Sequence, residues 1–237
     1  MKIVISYIGI GFLSLFANNL TSQTTLDYKN RIHSEISDEF MVVSQNHHAT
    51  KVGYEILEQG GNAVDAAVAM GFALAVTLPR AGNLGGGGFM LIYDAKTNKI
   101  STIDYRSAAP KSATSQMYLT DTGVVRFGHL VNAVPGTVAG LLKAHKEHGL
   151  LKLSQIMKPS IKLAQKGIEV SHDLNFVLNF GKQSMLKNPI SKAKFYDGED
   201  PLKINSLFKQ PKLAKTLRLI SNKGDEVFYK GQIAKWI

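Results

Sequence analysis

Between Asn62 and Thr77 the chain reads Ala-Val-Asp-Ala-Ala-Val-Ala-Met-Gly-Phe-Ala-Leu-Ala-Val, a helical stretch that is apolar on every side. A helix of that kind has no face to offer water, so it predicts burial between two layers, with its alanines allowing neighbouring backbone to come close. Asn62 is a suitable N-cap, and Asp65, three residues on, stands at the positive end of the helix dipole. The chain then passes Pro79 and Asn83 into four consecutive glycines, Gly85 to Gly88, and a strand pattern, Phe89 to Tyr93. A second strand pattern, Ile100 to Tyr105, follows the turn-rich Asp94–Asn98, which predicts a hairpin.

Upstream, Phe40–Val43 reads as a strand. Asn46–Thr50 introduces a helix predicted over Lys51–Glu58 and stopped by Gly60-Gly61. Downstream, the chain is irregular from Pro110 to Pro135. Pro135 to His145 then forms a helix with Gly149 past its end. Leu153–Gln165 is helical, with a break or kink required at Pro159. Asp173–Leu186 and Pro211–Ile220 carry mixed helical patterns, the latter stopped by Lys223-Gly224. Asp225-Glu226 opens a last amphipathic segment, Val227–Ile237. Helices and short strands in layers indicate α/β or α+β.

The first 22 residues depart from this pattern. Met1-Lys2, an apolar run from Ile3 to Ala17 and polar Asn18–Gln23 have the n-region and h-region of a secretory signal peptide. The run is short for a membrane span, so an uncleaved anchor is the lesser reading and a periplasmic or secreted location is expected. Residues 23–40 form a polar arm, and 41–237 a single domain.

Composition narrows the chemistry. There is no cysteine, which excludes disulfides and zinc–cysteine sites. The net charge of +10 arises entirely beyond residue 142: residues 1–142 carry ten basic and ten acidic side chains, residues 143–237 carry 18 and eight. Those lysines are scattered through helical patterns without stacking aromatics, which argues for a solvated basic face and against nucleic acid. The adjacent His47 and His48 point different ways, and His145 and His148 share a face with Lys143 and Lys146, so no metal site is expected and the histidines read as solvated. The glycine run lacks the lysine and serine or threonine of a phosphate-binding loop. It also fails the dinucleotide pattern, because Met90 stands where a third glycine belongs. Its glycines either permit tight packing or line an active site. Arg106, just past the second strand, is either ion-paired with Asp104 or free to grip a substrate carboxylate through two parallel hydrogen bonds.

Four separated motifs, Gly60–Val68, Gly82–Met90, Asp104-Tyr-Arg106 with Ala109-Pro110, and Val134–Gly140, occur in the order and spacing of γ-glutamyltransferases. Leu153-Ser-Gln155, Ala164–Gly167 and Phe228–Gly231 resemble later landmarks of the same large subunit. The resemblance implies an N-terminal nucleophile (Ntn) hydrolase, a four-layer αββα sandwich of which this chain holds part. Such proteins are made as a precursor that cleaves itself into large and small subunits. The small subunit's new N-terminal threonine attacks the γ-glutamyl amide, with its own α-amino group as base. Glutathione is the typical donor, and water, an amino acid or a peptide the acceptor; no cofactor is implied.

By the same resemblance Arg106 holds the donor's α-carboxylate, although Ser107 stands where many members have an acidic residue. The implied nucleophile lies outside this chain, since Thr24-Thr25 falls in the signal-proximal arm. An N-terminal fragment of the precursor, inactive alone, is therefore expected. The alternatives are a non-catalytic binding module retaining the scaffold, or a related Ntn amide hydrolase.

Overall fold

The computed structural model describes residues 36–120 and 131–237. The signal segment, Thr24-Thr25 and most of the polar arm lie outside the described residues. Phe40–Ile237 forms one compact unit.

At its centre is the all-apolar helix. Preceded by α1 (His47–Glu58), α2 (Ala63–Thr77) packs against α1 itself, α4 (Thr137–His148) and α5 (Leu153–Lys166), and α5 packs in turn on α9 (Pro211–Lys223). Only Ala63 of α2 is exposed. Phe72 is fully buried, and burial of a side chain that size contributes about 1.5–3 kcal/mol. Glycine sets the helix spacing: a Cβ at Gly53 would lie 2.6 Å from the Met70 sulfur, and one at Gly71 would lie 2.9 Å from a Leu141 methyl.

The α2 N-terminus closes as a capping box, with Asn62 Oδ1 accepting from Val64 and Asp65 amides and Asp65 accepting from the Asn62 amide. The same two side chains reach across to the loop after α4. Asn62 Nδ2 donates to the His148 carbonyl at 2.6 Å, and the fully buried Asp65 accepts from the Leu150 and Leu151 amides at 3.0 and 3.3 Å. The polar residues of the Gly60–Val68 motif are thus structural. His145, expected to be solvated, is mostly buried beside this knot, its Nε2 2.7 Å from the Leu151 carbonyl and 3.9 Å from Asp65. Sequence periodicity placed it on a cationic face and could not show the loop folding back over it.

The hairpin forms as expected: β1 (Phe89–Asp94) pairs antiparallel with β2 (Lys99–Asp104) in the register Phe89↔Asp104 to Asp94↔Lys99. Met90, Ile92 and Ile103 face the helical core. The opposite face presents Phe89, Leu91, Tyr93 and Ile100, each more than 60% exposed. These elements belong to the α+β class and supply one helical layer and one two-stranded hairpin.

Several expected elements are corrected. Phe40–Val43 has the alternation of a strand, Val42 packed inward between exposed Met41 and Val43, yet it pairs with no strand among the described residues. The first helix begins at His47, not Lys51, because Asn46 caps it by accepting the His48 amide at 3.0 Å. His47 and His48 do not diverge; their rings lie 3.9 Å apart. α5 runs unbroken through Pro159. Its interior stripe, Ile156, Met157, Ser160 and Ala164, is clamped between α2 and α9, and that packing offsets the missing amide.

Within the segment expected to be irregular, α3 (Ser115–Thr120) forms. Asp173–Leu186 divides at Gly181 into α6 (His172–Phe180) and α7 (Lys182–Met185), and the last segment divides at Gly231 into α10 (Glu226–Tyr229) and α11 (Gln232–Trp236). Between α5 and α9 lies a subregion that periodicity largely missed, made of α6, α7, α8 (Pro189–Phe195) and two-residue strands. Here β3 (Ile168–Glu169) pairs with β6 (Leu207–Phe208), and β4 (Tyr196–Asp197) with β5 (Asp200–Pro201). Its own small core gathers Val170, Leu174, Leu178, Tyr196 and Phe208.

Candidate functional site

The chain leaving β2 places Arg106 among three segments held backbone to backbone. Gly88 and Tyr105 exchange N–H···O bonds of 3.3 and 3.0 Å, Ala108 and Val134 exchange bonds of 3.0 and 2.8 Å, and the Gly86 carbonyl accepts from Gly136 and Thr137 at 2.8 and 3.1 Å. Such closeness requires the absence of side chains. A Cβ at Gly87 would fall 2.5 Å from the Ser107 nitrogen, one at Gly136 would overlap the Tyr105 carbonyl, and one at Gly140 the Tyr105 ring. Gly85 and Gly86 differ: a Cβ there meets only atoms of Asn83 or Thr137, none nearer than 3.3 Å. The two readings of the glycine run therefore divide within it. Gly87 and Gly88 are packing glycines, whereas the exposed Gly85 and its neighbour Gly86 keep a bare backbone that packing does not demand.

Tyr229, from the Phe228–Gly231 motif, fastens the other side. Its hydroxyl donates to the Pro135 carbonyl at 2.8 Å and accepts the Ala139 amide at 3.1 Å, satisfying one of the unpaired N–H groups in the first turn of α4. Burial pushes the Tyr105 and Tyr229 hydroxyls above the usual tyrosine range. Sequence reasoning left both tyrosines out; the sole clue was that each sits inside a motif.

These residues border a cavity of about 350 Å³ whose lining includes Asp104, Arg106, Lys143 and Tyr229. Arg106 is exposed, and among the described residues no carboxylate lies within 4.0 Å of its guanidinium. The Asp104 carboxylate accepts the Arg106 backbone amide at 2.9 Å instead. An acid that turns the backbone and leaves the guanidinium unpaired is the arrangement a carboxylate receptor needs. Lys143 is engaged only weakly, at 3.9 Å from Glu147. Among the described residues, no group of three metal-ligating side chains occurs.

The family model of gamma-glutamyltranspeptidase matches residues 49–237. The chain belongs to the γ-glutamyltranspeptidase family. The glutathione hydrolase proenzyme of Escherichia coli is 44% identical over 203 residues, which are 83% of this chain and 35% of that protein. The chain thus spans about a third of the length of that curated relative. Among solved structures, the γ-glutamyltranspeptidase of Helicobacter pylori superposes with a TM-score of 0.82 at 40% identity, over 86% of this chain and 60% of the other. That of Pseudomonas nitroreducens, complexed with L-DON, gives 0.78 at 42% identity, over 85% and 60%. The transpeptidase fold is that of the Ntn hydrolases, as the four motifs implied.

Proposed function

We propose that this chain is the N-terminal part of the large subunit of an exported γ-glutamyltransferase, and that Arg106 grips the α-carboxylate of the γ-glutamyl donor. The observation that carries this reading is the unpaired Arg106 guanidinium at the rim of a cavity, with its one adjacent acid occupied by the backbone. Support for the fragment reading comes from length, since relatives named as proenzymes extend well beyond the matched segment. The bare apolar face of the hairpin adds to it, because a further sheet layer would cover Phe89, Leu91, Tyr93 and Ile100.

In this reading the remainder of the precursor supplies the small subunit, whose N-terminal threonine attacks the γ-carbonyl carbon. Its hydroxyl proton passes through the α-amino group to the leaving amine as the C–N bond breaks. Glutathione or another γ-glutamyl compound is the donor, and water, an amino acid or a peptide takes the glutamyl group from the resulting ester. Arg106 contributes orientation. Two parallel hydrogen bonds to the α-carboxylate fix the distance from that group to the γ-carbonyl, so donors lacking the carboxylate lose the near-attack geometry. No cofactor or metal enters this chemistry.

The test is Arg106→Lys in the precursor completed with its small-subunit segment. Lysine keeps the charge and loses the paired geometry. Loss of a hydrogen bond to a charged group weakens transition-state binding by about 1.5–3 kcal/mol, roughly tenfold to a hundredfold in kcat/KM. Self-cleavage, which uses no donor carboxylate, is expected to survive. An unchanged kcat/KM in the cleaved variant would return Arg106 to a structural role.

A further inference from the structure

Apart from Lys143, which lines the cavity beside Arg106, the excess of basic residues in the second half of the chain lies outside the donor site. Much of it is spread over helix surfaces, but three lysines converge in the subregion that sequence periodicity missed. Lys194 on α8, Lys209 beside β6 and Lys212 at the start of α9 line one groove of about 650 Å³, with Ile190, Leu207 and Phe208. Among the described residues, no acidic side chain lines it and none of the three lysines has a carboxylate within 4.0 Å.

Lys194 is the informative member. Its ammonium stands 5.3 Å from the centre of the Phe208 ring, a contact that holds a cation over an aromatic face. The side chain is half-buried, and burial together with the neighbouring charge of Lys212 pushes its pKa below the ordinary lysine range. A partly desolvated cation beside a like charge and without a carboxylate is an unsatisfied arrangement that a bound anion relieves. Next to it the groove is apolar: Phe208 is buried, while Ile190 and Leu207 are 80% and 59% exposed. The volume falls within the range of small-molecule sites, about 300–1,000 Å³.

We propose that this groove binds a small amphiphilic anion, with an acidic head on Lys194 and Lys212 and an unbranched apolar body along Ile190, Leu207 and Phe208. Charge complementarity selects the head, and the contiguous apolar wall selects the body. A carboxylate and a phosphate monoester share this chemistry. Nothing in the proposal depends on Arg106 or on the donor reaction.

The test is calorimetric titration of the 237-residue chain with dodecanoate, dodecyl phosphate and the neutral dodecyl maltoside, each below its micelle concentration, with acetate and inorganic phosphate as head-only probes. The expected result is binding of one or both dodecyl anions at least tenfold tighter than the neutral amphiphile and the head-only probes. The tighter of the two anions identifies the head group. Lys194→Gln should weaken that binding at least fivefold, and Ile190→Asp should weaken it similarly through the apolar wall. Lys158→Gln, on the exposed side of α5, should leave it unchanged, and circular dichroism verifies that each variant is folded. Equal binding of the neutral amphiphile would reduce the groove to a non-selective apolar patch and overturn the proposal, as would binding indifferent to Lys194. Binding by the isolated chain that vanishes in the processed two-subunit enzyme would assign the groove to contact with the rest of the precursor, and that also overturns it.

Discussion

The Asp65 carboxylate meets the Leu150 amide at 3.0 Å, joining the first turn of α2 to the loop beyond α4. Asp65 is fully buried and also accepts the Asn62 and Leu151 amides. Asp65→Ala strands those donors away from water. Each unsatisfied buried group costs about 1–3 kcal/mol, and partial repair by water and loop relaxation brings the expected total to about 3 kcal/mol. At about 2–4 °C per kcal/mol for a domain of this size, the thermal midpoint should fall by about 6–12 °C. Asp65→Asn keeps the shape and one acceptor and should fall less. Thermal unfolding followed by circular dichroism decides it, and equal midpoints for wild type and Asp65→Ala would remove the knot from the fold's stability.

Glycine substitutions should separate packing from surface. Gly140→Ala sets a methyl into the Tyr105 ring, and Gly136→Ala sets one into the Tyr105 carbonyl. Overpacking of this kind costs about 1–3 kcal/mol, and it also shifts the segment that carries Arg106. Gly85→Ala meets only the Asn83 side-chain oxygen, at 3.3 Å, and its φ is not in the left-handed region. It should be near neutral for stability. Denaturant midpoints of the three variants test the contrast, and a destabilised Gly85→Ala alongside a silent Gly140→Ala would refute it.

How far the sequence revealed this arrangement follows from the range of each interaction. Local signals were sufficient for α2, its Asn62 cap and the β1–β2 hairpin, because capping, all-round apolarity and alternation are properties of neighbouring residues. Arg106 was singled out as a candidate from its place after β2 and its motif, but whether Asp104 would pair with its guanidinium or its backbone was a question of geometry. The clasp of Tyr229 on Pro135 and Ala139 spans 94 and 90 residues and left no periodic trace. The subregion of α8 and β3–β6 was invisible because its strands are two residues long, too short for alternation to register. Pro159 misled for a related reason: a local rule pointed to a break there, and the helix continues through it, packed between α2 and α9.

Alkaline pH should weaken the fold through its buried tyrosines. Tyr105, Tyr196 and Tyr229 all have pKa values raised by burial. The unfolded chain releases these protons near pH 10, while the folded protein holds them to higher pH. Between the two values the folded state binds more protons, so stability is fully present below about pH 10 and is lost as pH rises beyond it. Phenolate absorbance during a pH titration should show these tyrosines ionising late, and Tyr229→Phe should remove part of the delayed signal. Ionisation of every tyrosine at the ordinary value in the folded chain would contradict this.

The bidentate pair of Arg80 and Asp173, at 2.9 and 3.0 Å, bridges the end of α2 to the start of α6. Its geometry is good, but both side chains are 40% exposed or more. Screening by water and salt leaves an exposed pair of this kind little net contribution to stability. Arg80→Ala should therefore change the denaturant midpoint far less than Asp65→Ala, and salt should narrow the difference further. A loss as large as that of Asp65→Ala would mean that the pair anchors α6 more firmly than its exposure implies.

The purified 237-residue chain is expected neither to hydrolyse glutathione nor to transfer its γ-glutamyl group. Among the described residues, the cavity beside Arg106 has cationic and tyrosine groups in its lining but no serine, threonine or cysteine. Of those groups, the Tyr229 hydroxyl is committed to Pro135 and Ala139. Binding without a nucleophile and its base orients a donor and leaves the amide intact, so the covalent step is absent rather than slowed. Release of glutamate from glutathione, measured against a no-protein control, should be at background. Addition of a separately produced small subunit led by threonine should restore turnover if the two halves assemble after synthesis. Activity in the chain alone would place a nucleophile within these 237 residues and overturn the fragment reading, while leaving the geometry of Arg106 to be judged by its own variants.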